Sequence, residues 1–265
     1  MSATLQNAPL VELIAEIRWR GALDVMYPFS DGPALVSNVK ALEDFYARFG
    51  SHPNAMEFSQ HERLVPAEAP AFMHQPAYRF RKLNDEACMY HVGPGVFSTN
   101  AVPPYQSWDK FAPVIRRGIE ALLDSRVDVE SNQPFMAVSL RYIDLFGPEL
   151  SDGKSSAEFI QDILGLRVAI PEALTEHCSN ERDIKPFLQL QIPLKDAVIM
   201  SLSVGEGVAV NRSGVIMDTS ITTTVDTLAS IDAVMHALDN AHAILDTSFR
   251  KLIEPIKHLM PTKGE

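Results

Sequence analysis

Alternating apolar and polar residues predict β-strands along much of the chain. Between residues 9 and 19 the apolar side chains share one parity and the charged side chains share the other. The apolar set is Leu13, Ala15, Ile17 and Trp19, and the charged set is Glu12, Glu16, Arg18 and Arg20. This is the pattern of a strand with one buried face. The same pattern predicts strands at 77–83, 87–92, 96–102, 135–146, 187–194, 197–204 and 214–223.

Apolar residues that recur at steps of three and four predict helices at 31–49, 105–124, 155–166 and 226–253. Asp31-Gly32-Pro33 is expected to open the first helix. Ser155 and Glu158 have the spacing of a capping box at the start of the third. In the last helix, His242 falls on the apolar stripe, which is typical of a histidine in the core.

The order of these elements predicts one domain over residues 1–265. A polar stretch at 127–134 divides the chain, and each side of it reads strand, helix, strands, helix. We therefore hypothesise a structural duplication, with halves at 1–130 and 131–265. Short connections between successive strands favour an α+β fold, in which helices pack on one face of a large, twisted, mostly antiparallel sheet.

Composition narrows the classes of function. The chain of 265 residues is 46% hydrophobic and 22% charged, as in ordinary globular proteins. Its 23 basic and 34 acidic residues give a net charge of −11, which disfavours binding to nucleic acid phosphates. The first residues lack the features of a signal peptide, and no apolar run is long enough for a membrane helix. We expect a cytoplasmic protein that binds neither nucleic acid nor membrane.

No cofactor or metal site is predicted from motifs. Cys88 and Cys178 are too few for a disulfide framework or a zinc pattern. The chain lacks the phosphate-binding loop, the dinucleotide fingerprint and the Gly-x-Ser-x-Gly elbow. His52, His61 and His74 lie in one proline-rich segment and offer an unspecific alternative, a shared metal ion.

The polar face of the predicted sheet carries the candidate ligand-binding residues. These are Arg141, Glu12, Glu16, Arg18, Arg79 and Arg81. They suit either a solvated sheet face or a charged cavity for a phosphorylated or carboxylated small molecule. Enzymes that process triphosphates in a closed barrel carry Glu-x-Glu-x-Lys on the first strand, and the spacing of Glu12, Glu16 and Arg18 differs from that run. For Arg141, the alternative is an ion pair with an acidic residue on a neighbouring strand.

Several segments together resemble an uncharacterised, sporadically distributed prokaryotic protein family. They are Asn7-Ala8-Pro9-Leu10-Val11-Glu12, the Val92–Asn100 run with Gly93-Pro94-Gly95, Tyr105-Gln106-Ser107-Trp108, Leu140-Arg141-Tyr142-Ile143, and a last helix with Leu238, His242 and Phe249. The resemblance spans nearly the whole chain and implies a prokaryotic origin and a single domain. It implies no activity, and its sporadic distribution suggests defence, toxin-neutralising or biosynthetic-cluster genes.

The absence of catalytic motifs leads to the first functional hypothesis, a non-enzymatic accessory protein that binds another protein. The acidic net charge would suit a basic partner. The second hypothesis is a small-molecule- or nucleotide-binding protein, or an enzyme, that binds a phosphorylated or carboxylated ligand on the charged sheet face. A third is a peptide-modifying accessory subunit that docks a substrate strand on an exposed sheet edge.

Overall fold

A computed structural model describes residues 5–21, 25–26, 35–36, 39–66, 69–83, 85–105, 107–127, 130–180 and 184–261. The strands are β1 (Leu10–Trp19), β2 (Val25–Met26), β3 (Leu35–Val36), β4 (Gln60–Arg63), β5 (Tyr78–Lys82), β6 (Asp85–Gly93), β7 (Val96–Ala101), β8 (Phe135–Phe146), β9 (Phe187–Pro193), β10 (Val198–Ala209) and β11 (Arg212–Thr223). The α-helices are α1 (Val39–Ser51), α2 (Trp108–Ser125), α3 (Pro148–Ser151), α4 (Ser156–Glu158), α5 (Glu172–Thr175) and α6 (Ile231–Leu252). A π-helical turn spans Phe159–Ile163, and a 3-10 helix spans Glu254–Leu259.

Nine strands form one open antiparallel sheet in the order β4-β5-β6-β7-β1-β8-β11-β10-β9. This confirms the predicted α+β class. β2 and β3 form a separate two-stranded ribbon. In each half of the chain the first strand pairs with the last one, β1 with β7 and β8 with β11. The two halves meet where β1 pairs with β8, at the middle of the sheet.

The period-two pattern of β1 sorts its side chains between two environments. Leu13, Ala15 and Ile17 are buried, whereas Glu16 and Arg18 lie on the opposite face. The long helices α1, α2 and α6 pack on the buried face, where their apolar stripes meet the strands. Within the described part of the chain, no helix packs on the face that carries Glu16 and Arg18.

An aromatic cluster fills the core of the first half. Phe49 of α1 contacts Phe80, Tyr90 and Phe97 of three neighbouring strands, with ring centroids 5.2, 5.8 and 5.7 Å away. Gly118 of α2 lies directly above, and a Cβ there would come within 2.7 Å of both Phe97 and Tyr90. The missing side chain therefore lets α2 approach the sheet closely.

Two helix starts differ from the sequence prediction. α1 begins at Val39, and Leu35–Val36 pairs with β2 instead; residues 31–34 lie outside the described part of the chain. α6 begins at Ile231, because the Ser230 side chain accepts a hydrogen bond from the Ala233 N–H and caps the helix there. The residues just before it stay extended and form a β-bridge from Thr227 to Phe135.

The third predicted helix is correct at its start and different in its course. Ser155 and Glu158 form the expected capping box. The chain then changes from α4 to the π-helical turn and turns away at Gly165, whose φ of +70° lies in the left-handed region. None of the helices in the described ranges is both long enough and apolar enough to cross a bilayer.

Candidate functional site

The six residues predicted to bind a ligand all lie on strands of the open sheet face. Glu12, Glu16 and Arg18 belong to β1, Arg141 to β8, and Arg79 and Arg81 to β5. β5 and β8 are four strands apart in the sheet, which corresponds to about 19 Å at ~4.8 Å per strand. The structure therefore brings these residues together as small groups and not as one cluster.

Each group has its own partners on the open face. Arg141 donates to both carboxylate oxygens of Asp218 on β11, the neighbouring-strand ion pair that was the alternative for this residue. The same hydrogen bonds raise the pKa of the Arg141 guanidinium. The remaining contacts are Arg18 with Glu16 at 2.7 Å, Arg79 and Arg81 with Glu62 at 2.7 and 3.3 Å, and Asn100 Nδ2 with Glu12 at 2.6 Å. Such pairs are typical of a solvated sheet face, and an anion site here stays a prediction.

The three histidines of the proline-rich segment make separate contacts. His52 Nε2 lies 3.1 Å from the Asp124 carboxylate, and His74 Nε2 lies 3.1 Å from the Trp19 carbonyl oxygen. His61 lies on the edge strand β4 near the Phe80 ring. Among the residues that the structure describes, no three His, Cys, Asp or Glu side chains are grouped so that they could hold a metal ion.

A cavity of about 330 Å³ lies on the other, helix-covered face of the sheet, beneath α6. Its floor is formed by β8, β11 and β10, and α6 forms its roof. The segment 5–10 and the turn that leads into α2 close its sides. The apolar and aromatic lining residues are Leu5, Leu10, Tyr105, Trp108, Tyr142, Met200, Leu202, Met217, Leu245, Phe249 and Leu252. We call this space the α6 cavity.

The N-terminal segment is fixed across one side of the α6 cavity by backbone contacts. The Gln6 N–H donates to the Pro261 carbonyl oxygen over 2.7 Å, and the Leu145 N–H donates to the Pro9 carbonyl oxygen over 2.8 Å. This side of the α6 cavity therefore links residues 5–10 to Pro261, the last described residue. A chain that loses this segment would open the cavity to solvent.

A stacked pair of rings forms the wall between α2 and α6. The indole of Trp108 lies on the imidazole of His242, with centroids 4.5 Å apart and an angle of 12° between the planes. Trp108 Nε1 donates to Asp239 over 2.8 Å, and this contact fixes the indole on α6. The His242 Nδ1 lies 2.8 Å from the Tyr142 hydroxyl. Burial lowers the pKa of His242, more than nearby acidic groups raise it, so the imidazole is neutral at neutral pH.

Asp144 is the most unusual group of the α6 cavity. It lies on β8 between Tyr142 and Phe146, on the buried parity of the strand, and only 3% of its surface is exposed. No hydrogen-bond donor in the described part of the chain reaches its carboxyl group. Burial, with a smaller contribution from the negative charge of Asp218, raises the pKa of Asp144 to about 7.

The remaining charged residues of the lining already form a pair. Arg250 Nε donates to both carboxylate oxygens of Asp246 one turn earlier on α6, over 3.1 and 3.0 Å. The Thr219 hydroxyl on β11 is buried and has no hydrogen-bond partner among the described residues. The cavity therefore offers an apolar body, aromatic walls and the Asp144 carboxyl group, to which no described residue donates. Such a site can hold an apolar molecule and accept hydrogen bonds from its polar end.

None of the six predicted site residues lines the α6 cavity. The polar parity of the strands gives no sign of the α6 cavity, because Asp144 lies on the apolar parity. One signal was available: four of the five segments that carry the family resemblance contribute to the lining. Their lining residues are Asn7, Ala8, Pro9, Leu10, Tyr105, Ser107, Trp108, Tyr142, His242 and Phe249.

No protein-family model matches the chain, and no curated protein matches it. The α6 cavity is therefore the feature of this chain that bears most directly on its function.

Proposed function

We propose that this protein binds a small, largely apolar molecule in the α6 cavity. The observation that carries the proposal is a buried carboxyl group, Asp144, without a donor in a preformed cavity of about 330 Å³. Cavities of about 300–1,000 Å³ with apolar walls and a few polar groups are typical small-molecule sites. Buried polar groups in proteins generally bond to protein groups or to ordered water, so a carboxyl group that faces a cavity without a protein donor offers a contact to a bound molecule.

The chemistry of the α6 cavity differs from that expected for an anionic ligand. Its charged residues are Asp144, Asp246 and Arg250, so acidic groups outnumber basic ones. The one arginine is hydrogen-bonded to Asp246. A phosphate or carboxylate placed here would face an acidic group and find no free cation, which disfavours it.

The proposal is tested with a neutral apolar probe, 2-phenylethanol, by isothermal titration calorimetry. Ser248 lines the cavity from α6, and Ser248→Phe would fill part of the space. We expect the wild-type protein to bind the probe and Ser248→Phe to lose at least about ten-fold in affinity, equivalent to ~1.4 kcal/mol. The matched control is Thr247→Phe, because Thr247 is the adjacent residue and is exposed to solvent.

Native mass spectrometry of the protein purified from its own host is the second measurement. A retained small molecule that is lost from Ser248→Phe and kept by Thr247→Phe would support the proposal. If 2-phenylethanol binds neither protein and no small molecule is retained, the cavity is not a binding site and the proposal fails.

A second candidate function is the one expected first from the sequence, binding to another protein. β9 supports it: it is an edge strand without charged residues, paired only with β10 among the described strands, and Phe187 is 70% exposed. Uncharged, exposed edge strands readily accept a further strand, whereas β4 at the other edge carries charged residues. A protein partner and a cytoplasmic location both remain predictions.

The protein-binding candidate is tested on the same purified material. We expect a second chain in the native mass spectrum, absent from Leu190→Lys on β9 and retained by Gln60→Lys on β4. Both positions are exposed edge-strand residues, so they form a matched pair. A partner that survives Leu190→Lys would exclude strand addition at β9.

A further inference from the structure

We propose that the ligand of the α6 cavity carries a protonated amine, which pairs with Asp144 while its apolar body lies against Trp108 and Phe249. This inference rests on the proposed function and names the chemical class of the ligand. It follows from three features of the lining: an unpaired carboxyl group, an orphaned hydroxyl group and aromatic walls.

The unpaired carboxyl group requires a donor that the protein does not supply. Only 3% of the surface of Asp144 is exposed. The charge that acts on its carboxyl group is that of Asp218, which is also negative. The arginine of the lining, Arg250, forms an ion pair with Asp246. A buried carboxylate is stabilised by a cation that forms a charge-assisted hydrogen bond, and an ammonium group provides both.

Thr219 adds a second acceptor beside Asp144. Met217 of β11 lies directly opposite Asp144 in the sheet register, and Thr219 is two residues further on the same face. Side chains in this diagonal relation lie about 7–8 Å apart at the backbone, within reach of one small group. The Thr219 hydroxyl oxygen is buried as it stands, and rotation of this side chain toward the cavity would let one ammonium, with its three donors, bind the carboxylate and the hydroxyl together.

The aromatic walls favour a cation over a neutral donor. Trp108, Tyr142 and Phe249 line the same space. The faces of such rings attract ammonium groups, most strongly where water is excluded. A neutral alcohol could donate one hydrogen bond to Asp144, but it would leave the charge of the carboxylate uncompensated.

The test compares three probes of similar shape by isothermal titration calorimetry at about pH 8, above the pKa of about 7 of Asp144. The probes are 2-phenylethylamine, 2-phenylethanol and phenylacetate. We expect the amine to bind at least about ten-fold more tightly than the alcohol, and phenylacetate to bind most weakly. Asp144→Asn should abolish the preference for the amine and leave the affinity for the alcohol nearly unchanged, whereas the control Asp232→Asn on the exposed side of α6 should keep the preference.

The outcomes separate this inference from the proposed function. If the amine and the alcohol bind equally, or if Asp144→Asn still prefers the amine, the amine inference is wrong. The proposed function is then still supported, provided that Ser248→Phe weakens the binding of 2-phenylethanol. Tightest binding of phenylacetate would identify an acid that shares a proton with Asp144 and would also overturn the inference. If Asp144→Asn does not fold, the ratio of amine to alcohol affinity in the wild-type protein decides the question alone.

Discussion

The two halves of the molecule order their strands in the same way and fill the space beneath their helices differently. In the first half, α1 and α2 cover the sheet, and Phe49, Phe80, Tyr90 and Phe97 fill the interior. In the second half, α6 covers β8 and β11, and the short helices α3 and α4 stand where the first half has the 13-residue α1. A gap remains beneath α6, and it is the α6 cavity.

This difference shows how one arrangement of strands can enclose both a solid core and an open cavity. The aromatic rings of the first half pack against one another, and Gly118 brings α2 down onto them. Beneath α6, the corresponding space is an open cavity lined by apolar and aromatic side chains, with Asp144 on its floor. A sheet with similar strand order thus leaves a cavity where its helix does not close on it.

The largest expected effect comes from truncating the aromatic core of the first half. Phe97 is fully buried, so Phe97→Ala should lower the free energy of unfolding by about 3–5 kcal/mol. Phe249 is partly buried and borders the α6 cavity, so Phe249→Ala should cost only about 1–2 kcal/mol. Urea unfolding of both variants measures the contrast. Equal losses would mean that the second half is packed as tightly as the first.

The second expected effect is a pH dependence of stability due to Asp144. Its pKa is about 7 in the folded protein, against 3.8 for an ordinary aspartate, so the folded state holds the proton more tightly than the unfolded state. This contribution to stability is present below about pH 4, is lost as the pH rises toward 7, and is constant above that. At ~1.4 kcal/mol per pKa unit, the loss amounts to about 4 kcal/mol.

Asp144→Asn should remove this loss, so the variant gains stability over the wild-type protein between pH 4 and 7. Urea unfolding at a series of pH values measures the difference between the two proteins. Asp232→Asn, on the exposed side of α6, is the control and should follow the wild-type curve. Parallel curves for Asp144→Asn and the wild-type protein would show that the carboxyl group is already ionised in the folded state.

The smallest expected effect on stability comes from breaking an ion pair on the open sheet face. Arg141→Ala removes a half-exposed ion pair with Asp218, and such pairs contribute about 0–1 kcal/mol. We expect binding of 2-phenylethanol in the α6 cavity to be unchanged in this variant. A marked loss of binding would place the ligand site on the charged face, as the second sequence hypothesis has it.

The sequence predicted the sheet and its two faces because alternation along a strand is a local pattern. Glu16 and Arg18 were placed on the polar face and Ile17 on the buried face, and both placements are correct. The start of α6 was predicted too early, since Leu228 fits the helical stripe but is 73% exposed. There a strand-like bridge to Phe135 and the Ser230 cap decide the boundary, and neither is visible in the spacing of apolar residues.

By itself, the sequence determined the α+β class, the antiparallel strands, the capping box at Ser155 and the charged parity of β1, because each depends on neighbours within a few residues. Only the tertiary structure decided where the cavity lies. The α6 cavity joins residues from the start, the middle and the end of the chain, and the environment of Asp144 is set by Trp108 and Phe249, which are distant from it in sequence. Burial of a carboxyl group depends on which elements pack around it, so its unusual chemistry appears only once the chain is folded.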